Sequence, residues 1–407
     1  MKICYITAEY PPRIGGVGDY VRHLSRKMVA RRYDVTVVTS DGLGRKSSTG
    51  KNDSPRVLAV IKKWNFLGLP RLLGVLKAVD ADVYVLEYVV YMYGRGGVAP
   101  WLFPFFWAFR RRVKRPLVLN VHETFRPKRR GLKGTVLSFI SFLILKAAVR
   151  GCTLAVVTNT HRKRLLSRLL AFDPKRVLLI PVGANILPSG EARHTNEKQN
   201  GLRVTSFGIW NGDRAVEDVV RAVGSTTLRH AVRLFIVGAL GNDADRVASV
   251  RRLCAESGLA GRVEITGSLP PGQVSDYLSR ADIFVSPEAG GPSGRRGSLL
   301  AALAHGLPVV AYDGCERESV FRDGDNIVLV PEGDVAALVV ALNRLAADGA
   351  LCRALGARAR ATFEEHFAWS KIAERWDREV FGPLAASRPR DGGGTVSRIK
   401  GVMCRGT

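Results

Sequence analysis

Acidic residues are scarce in the first half of this 407-residue chain. Residues 1–190 hold 10 Asp and Glu against 34 Lys and Arg, whereas the remainder holds 26 against 28. The net charge of +26 therefore sits almost wholly in one half. An Arg-rich habit of the whole chain would enrich both halves alike. A one-sided field draws in anions: nucleic acid, acidic lipid headgroups or phosphorylated substrates. Cysteine is also sparse. Cys4, Cys152, Cys254, Cys315, Cys352 and Cys404 are scattered, with no CxxC and no Cys/His cluster. That argues against a disulfide framework or a zinc site, with a reducing cytoplasm as the default. No run of 18 or more apolar residues stands out, so no membrane span is expected. KICYIT begins at Lys2, so no signal peptide is expected. No RRM, KH or zinc-finger pattern accompanies the dispersed cations, so nucleic acid is not the expected partner.

What is present reads as a globular chain long enough for two domains, 46% hydrophobic and 24% charged. Residues 2–7 read as a strand, Gly15 to Gly18 as a glycine loop, and Asp19 to Arg32 as an amphipathic helix. Val35 to Thr39 closes this βαβ unit. Further strands fall at 57–61, 83–87, 117–122 and 154–158. A second series runs through 204–208, 234–238, 263–267, 283–287 and 309–312. The fold class is α/β: two doubly wound, Rossmann-like domains facing a central cleft. Domain one covers 1–187, a polar linker 188–200 and domain two 201–368. Residues 369–385 form a last helix, and 386–407 a Gly/Arg-rich tail expected to be disordered.

Ligands of parallel sheets collect at the carboxyl ends of the strands, where Glu87, His122 and Glu123 fall. His122 is either a site group or a packed structural histidine. Glu87 and Glu123 are acceptor-side candidates, or hydrogen-bonded strand ends. In the second half, SGRRGSLLAALAHGLPVVA (Ser293 to Ala311) carries the clearest signal. Ser298 suits a helix cap, the Ala/Leu run favours helix, and Gly306 suits its stop. Arg295 and Arg296 would then stand beside free N–H groups and a positive dipole end, a site for diphosphate. A solvated Arg pair on a turn is the competing reading. WLFPFFWAFRRRVKR (Trp101 to Arg115) and RPKRRGLKGTVLSFISFLILKAAVR (Arg126 to Arg150) set apolar residues beside cations. Such segments suit an anionic membrane surface, and the second equally suits a core helix with a basic end.

AEYPPRIGGVGDYVRHLS, IPVGAN, FIVGALG, GRVEITGSL, ADIFVSP, LLAALAHGLPVVAYD and GDNIVLVPEGD follow one another over residues 1–385. In that order they resemble the GT-B glycosyltransferases of the large retaining family four. The resemblance implies a second domain that binds a nucleotide-sugar donor and a first domain that holds the acceptor. It implies a last helix crossing back to the first domain. It gives donor contacts to Gly15, Gly16, Arg214, Ser293, Gly297, Ser298 and Leu299, and matches His122 to a histidine near the donor sugar. No metal cofactor is expected, and no DxD cluster lies near the site.

The chain departs from the family at two glutamates eight positions apart, where Ser293 and Ala301 stand, and at a post-strand arginine, replaced by Ile209. Alanine cannot hold ribose hydroxyls, so a deoxyribose donor would lose least. We expect Arg295 and Arg296, with Arg214, to replace the missing charge as catalytic cations at the leaving diphosphate. The expected reaction is sugar transfer with retention, the leaving phosphate taking the acceptor proton. A lipid-linked saccharide of the envelope or of exopolysaccharide suits the basic half, with peripheral attachment at the inner face of the plasma membrane. A small soluble acceptor such as an antibiotic core, or a non-catalytic binder of sugar nucleotide, are the alternatives.

Overall fold

The computed structural model describes residues 1–13, 15–41, 54–89, 91–124, 131–169, 171–189, 201–210, 214–227, 232–240 and 244–387. The basic run 126–130, most of the expected linker and nearly all of the expected tail lie outside them. The chain forms two compact units. One comprises Met1–Thr158, Arg162–Ile180 and the chain from Ile372; the other comprises Asn159–His161 and Pro181–Lys371.

The first unit is built on a seven-stranded sheet: β1 (Lys2–Ile6), β2 (Asp34–Ser40), β3 (Arg56–Ile61), β4 (Val83–Tyr88), β5 (Leu117–Val121), β6 (Leu154–Val157) and β7 (Val177–Leu179). The order is β3-β2-β1-β4-β5-β6-β7, with every pair parallel. Ile3 stands opposite both Val35 and Val83, so the winding reverses between β1 and β4. A strand inside a parallel sheet is covered on both faces, and β4 is buried at all six positions. Crossovers are made by α1 (Gly16–Ala30), α2 (Leu69–Val79), α3 (Leu102–Arg112), α4 (Leu132–Gly151) and α5 (Thr160–Leu169). Tyr20, Val21, Leu24 and Met28 recur on one face of α1 and are buried there.

The second sheet holds β8 (Leu202–Phe207), β9 (Val232–Val237), β10 (Val263–Ile265), β11 (Ile283–Ser286), β12 (Val309–Asp313) and β13 (Val328–Pro331). Its parallel order is β10-β9-β8-β11-β12-β13. Its helices are α6 (Val216–Gly224), α7 (Ala244–Glu256), α8 (Pro271–Arg280), α9 (Gly297–Ala304), α10 (Val335–Ala347) and α11 (Gly349–His366). Helix α9 is buried from Ser298 to Ala304, which is why its sequence is Ala and Leu throughout. Gly306, at φ +68°, ends that stretch in the left-handed conformation the sequence led us to expect. After α12 (Trp369–Arg375) comes a π-helical turn, Trp376–Phe381, and α13 (Gly382–Ala386). Trp376, Val380 and Phe381 are buried in the first unit, where Trp376 Nε1 donates to the Tyr20 hydroxyl at 2.9 Å.

The structure corrects several expectations. The main stretch of the second unit starts at Pro181, ahead of the expected linker. Val182 N donates to Gly294 O at 2.8 Å and Ala184 is wholly buried, so 181–187 belong to the second core. Strands β7 and β13 are three and four residues long, too short to show a period. Helix α4 is, by length and composition, apolar enough to cross a membrane: 20 residues with a window of mean hydropathy 1.7. Lys146 and Arg150 interrupt the run without removing its apolar character. Its Ile144, Leu145, Ala148 and Val149 are buried, and it packs on α3.

Candidate functional site

In the second unit the site grows from the carboxyl ends of β8 and β11. After β8 the chain turns at Gly208, where a Cβ would lie 1.7 Å from Arg214 Nη1; glycine alone leaves the guanidinium its path. Arg214 Nη1 donates to Phe207 O at 2.9 Å and stands 3.1 Å from Glu288 Oε1. Its Nη2 donates to Ser298 Oγ at 3.0 Å, and Ser298 Oγ in turn donates to Glu288 Oε1 at 2.9 Å. Ser286 Oγ donates to the other carboxylate oxygen. Backbone ties hold the same loops together, with Ala215 N donating to Pro287 O at 3.1 Å. Side-chain exposure is 12% for Arg214 and 2% for Glu288, so this is a buried pair. Such pairs do little for stability beyond a hydrophobic replacement, whereas losing one partner costs about 3–5 kcal/mol.

Ser298 is therefore not the helix cap. Arg296 occupies the cap position with no side-chain cap bond, and Ser298 lies inside the first turn. A buried carboxylate beside it takes the hydroxyl that the local pattern assigns to the backbone. The helix ladder starts with Leu300 N to Arg296 O at 3.0 Å, which leaves the N–H groups of Gly297, Ser298 and Leu299 ahead of it. Ser298 thus brings Arg214 and the start of α9 to one place.

The two arginines of the turn do not converge. Arg295 Nε donates to Glu316 Oε2 at 2.7 Å, as a part-buried ion pair. Arg296 is buried, and its Nη2 donates to Ala289 O at 2.5 Å. Each of these guanidinium groups has a protein acceptor of its own, whereas the Arg214 side chain bonds Ser298 inside the first turn of α9. Ser293 and Ala301 are wholly buried, and neither supplies a carboxylate. Glu288 went unnoticed in the sequence; a Pro-Glu pair closing a strand was its only signal.

In the first unit, β4 and β5 place Glu87, Asn120 and His122 side by side. His122 Nε2 lies 2.6 Å from Glu87 Oε2, and Asn120 Nδ2 donates to the same oxygen at 2.8 Å. Tyr20 meets the His122 ring edge-on, with centroids 5.0 Å apart and planes at 78°. Glu87 is 0% exposed and bonded to His122 and Asn120, which agrees with a hydrogen-bonded strand end and not with a group that touches an acceptor. Burial pushes its carboxyl up, while its bonds from His122 and Asn120 pull it down. Glu123 follows His122 and is half-buried, with Oε2 unpartnered among the described residues.

Gly15 serves a purpose the sequence did not show: a Cβ there would lie 2.4 Å from Glu9 Oε2. Burial raises the Glu9 carboxyl, and the charges of Arg13 and His122 lower it. A Cβ on Gly16 would meet nothing within 4 Å.

Two doubly wound parallel units with polar clusters at strand ends are the architecture of GT-B proteins. The fold is similar to sucrose-phosphate synthase from Thermosynechococcus elongatus: 20% identity, 95% of this chain and 100% of that one covered, TM-score 0.75. It is similar also to Anabaena HepE solved with UDP and glucose: 16% identity, 94% and 100% covered, TM-score 0.69. Residues 15–183 match the family described as glycosyl transferase 4-like domain, and residues 202–348 match glycosyl transferases group 1. The chain belongs to the glycosyl transferase 4-like and glycosyl transferases group 1 families, and its fold is GT-B. Among curated proteins it is similar to an exopolysaccharide phosphotransferase from Streptomyces coelicolor, 29% identical over 235 residues. That match covers 57% of this chain but only 24% of the relative's length.

Proposed function

We propose that this glycosyltransferase moves a sugar from a nucleoside-diphosphate sugar to an acceptor hydroxyl with retention, in envelope or exopolysaccharide biosynthesis. The observation that carries the reading is the meeting of Arg214 with Ser298 at the start of α9. A guanidinium with donors to spare and three helix N–H groups suit a diphosphate, and they would act most strongly as its charge grows during departure. The bond from C1 to the phosphate oxygen breaks, the acceptor oxygen bonds C1 on the same face, and the acceptor proton passes to the leaving phosphate. Arg214 and the helix end supply the positive charge, so no metal is required. By family resemblance, the acceptor belongs to the first unit and His122 addresses the donor sugar. The UDP and glucose bound in HepE support a donor of this class.

The acceptor is proposed to be lipid-linked. Phe103, Trp107 and Arg111 recur at four-residue spacing on α3; Phe103 and Trp107 are exposed, and Arg111 stacks on Trp107 at 4.2 Å. Leu132, Val136 and Phe139 are likewise exposed on α4, beside Lys133. Exposed aromatic and aliphatic side chains among cations suit an anionic bilayer surface, and the name of the Streptomyces relative supports an exopolysaccharide setting.

Incubation with a panel of UDP-, GDP-, dTDP- and ADP-sugars tests the reading. Release of nucleoside diphosphate and a product of unchanged anomeric configuration are expected. Alanine at 301, where family resemblance places a ribose-binding glutamate, favours dTDP in a thermal-shift series. A nucleotide at 100 times its Kd would add about 2.7 kcal/mol of apparent stability. Nucleotide binding without transfer to any acceptor would favour the non-catalytic reading.

A further inference from the structure

We infer that Glu87 is a positioning residue that fixes the proton of His122 on Nε2 and so presents Nδ1 as a hydrogen-bond acceptor. The role of His122 at the sugar rests on the function proposed above; the pairing itself does not.

The pairing is unusual in where it sits. Glu87 points into the sheet interior at 0% exposure, and its Oε1 has no partner among the described residues. A carboxylate in that place is a poor stabiliser, because burial penalises its charge and half of its acceptor capacity goes unused. Asn120, also 0% exposed, has its Oδ1 unpartnered among the described residues while its Nδ2 is turned to Glu87. Both side chains thus leave an oxygen unpaired in order to converge on one point, Glu87 Oε2.

That convergence sets the tautomer. Oε2 faces two nitrogens, Asn120 Nδ2 at 2.8 Å and His122 Nε2 at 2.6 Å. Asn120 Nδ2 can only donate. It also lies 3.2 Å from His122 Nε2, a longer contact than its 2.8 Å donation to the charged acceptor Oε2. As a carboxylate oxygen Oε2 accepts from both nitrogens, and the 2.6 Å contact is then completed by Nε2–H. Nδ1 is left with its lone pair, on a side chain that is 10% exposed. A half-turn of the ring would put Cε1 where Nε2 stands and lose the bond to Glu87. Nδ1 is then preset to accept a hydrogen bond from a sugar hydroxyl. A hydroxyl-accepting imidazole gives orientation without adding positive charge near a sugar centre that becomes electron-poor.

Nitrogen-15 NMR of the full-length protein labelled at histidine tests this without substrate. Wild type is expected to show His122 with its proton on Nε2 and Nδ1 bare. A wild-type signal with a proton on Nδ1, in the Nδ1 tautomer or in the doubly protonated ring, overturns the inference, because Nδ1 could not then accept. Glu87→Leu removes the acceptor at similar volume. It should relax the tautomer preference and slow transfer about 100-fold, and it should lower the melting temperature, because Asn120 Nδ2 loses its acceptor. In a His122→Ala background the same substitution should add no further loss; a full second loss means Glu87 acts elsewhere and sinks the claim. Should Glu87→Leu not fold, the wild-type spectrum decides alone. If His122→Ala leaves transfer untouched, the sugar role of His122 fails, while the NMR result still judges the pairing.

Discussion

Arg214 and Glu288 face each other at 3.1 Å across two loops that leave neighbouring strands, and Ser298 joins them to the start of α9. A buried pair of this kind fixes where the cation stands. The carboxylate does not cancel its use, because guanidinium carries five donors and only part of them is spent here.

The pair predicts an asymmetric mutational cycle. Glu288→Leu strands a buried guanidinium, and Arg214→Leu strands a buried carboxylate. Each single change should cost about 3–5 kcal/mol, and the double change much less. Thermal or urea melts of the four proteins check this. Additive losses would show that the two side chains are not coupled.

Rates should separate the three arginines. Arg214→Ala is expected to lower kcat by about 10²–10³. Arg295→Ala, which breaks only a part-buried pair with Glu316, should stay within about tenfold. Arg296→Ala should act on stability, by about 1–3 kcal/mol, because it uncouples Ala289 O from its buried donor. Steady-state kinetics with a fixed donor, alongside melts, distinguish these outcomes.

Much of this architecture could be read from residue order. The strand–glycine loop–helix–strand opening and the Gly306 stop followed by β12 both appear where local pattern placed them. The site was less legible because its partners are distant in sequence. Glu288 meets Arg214 across 74 positions and Glu87 meets His122 across 35, so no local spacing announces either pair. Ser298 misled for the same reason: its cap signal is local, but a buried carboxylate outcompetes the backbone. At Gly15 the sequence pattern gave no hint that Glu9 lies on the side where a Cβ would point.

Membrane attachment should depend on both charge and apolar faces. Wild-type protein is expected to float with vesicles rich in anionic lipid at low salt and to be largely released at high salt. Phe103→Ser with Trp107→Ser should abolish flotation without altering the melting temperature. Protein that stays in solution at low salt contradicts a peripheral membrane role.

Acid should weaken the first unit through His23. Burial and then the charges of Arg22, Arg26 and Lys27 lower its pKa from 6.5 to about 4. A folded-state value below the unfolded one means the unfolded chain takes up the proton first as pH falls. His23 therefore favours folding fully above about pH 6.5, and this contribution is lost between pH 6.5 and 4. His23→Gln should flatten the decline of melting temperature over that window. An unchanged slope would rule His23 out as its source.

The central claim is that Arg214 and the first turn of α9 hold the departing diphosphate. A crystal structure with a nucleoside diphosphate bound measures this directly. The account predicts a phosphate oxygen within hydrogen-bond distance of Arg214 and of an N–H group among Gly297, Ser298 and Leu299. A diphosphate seated away from that turn, with Arg214 still closed on Glu288 and Ser298 alone, would contradict it.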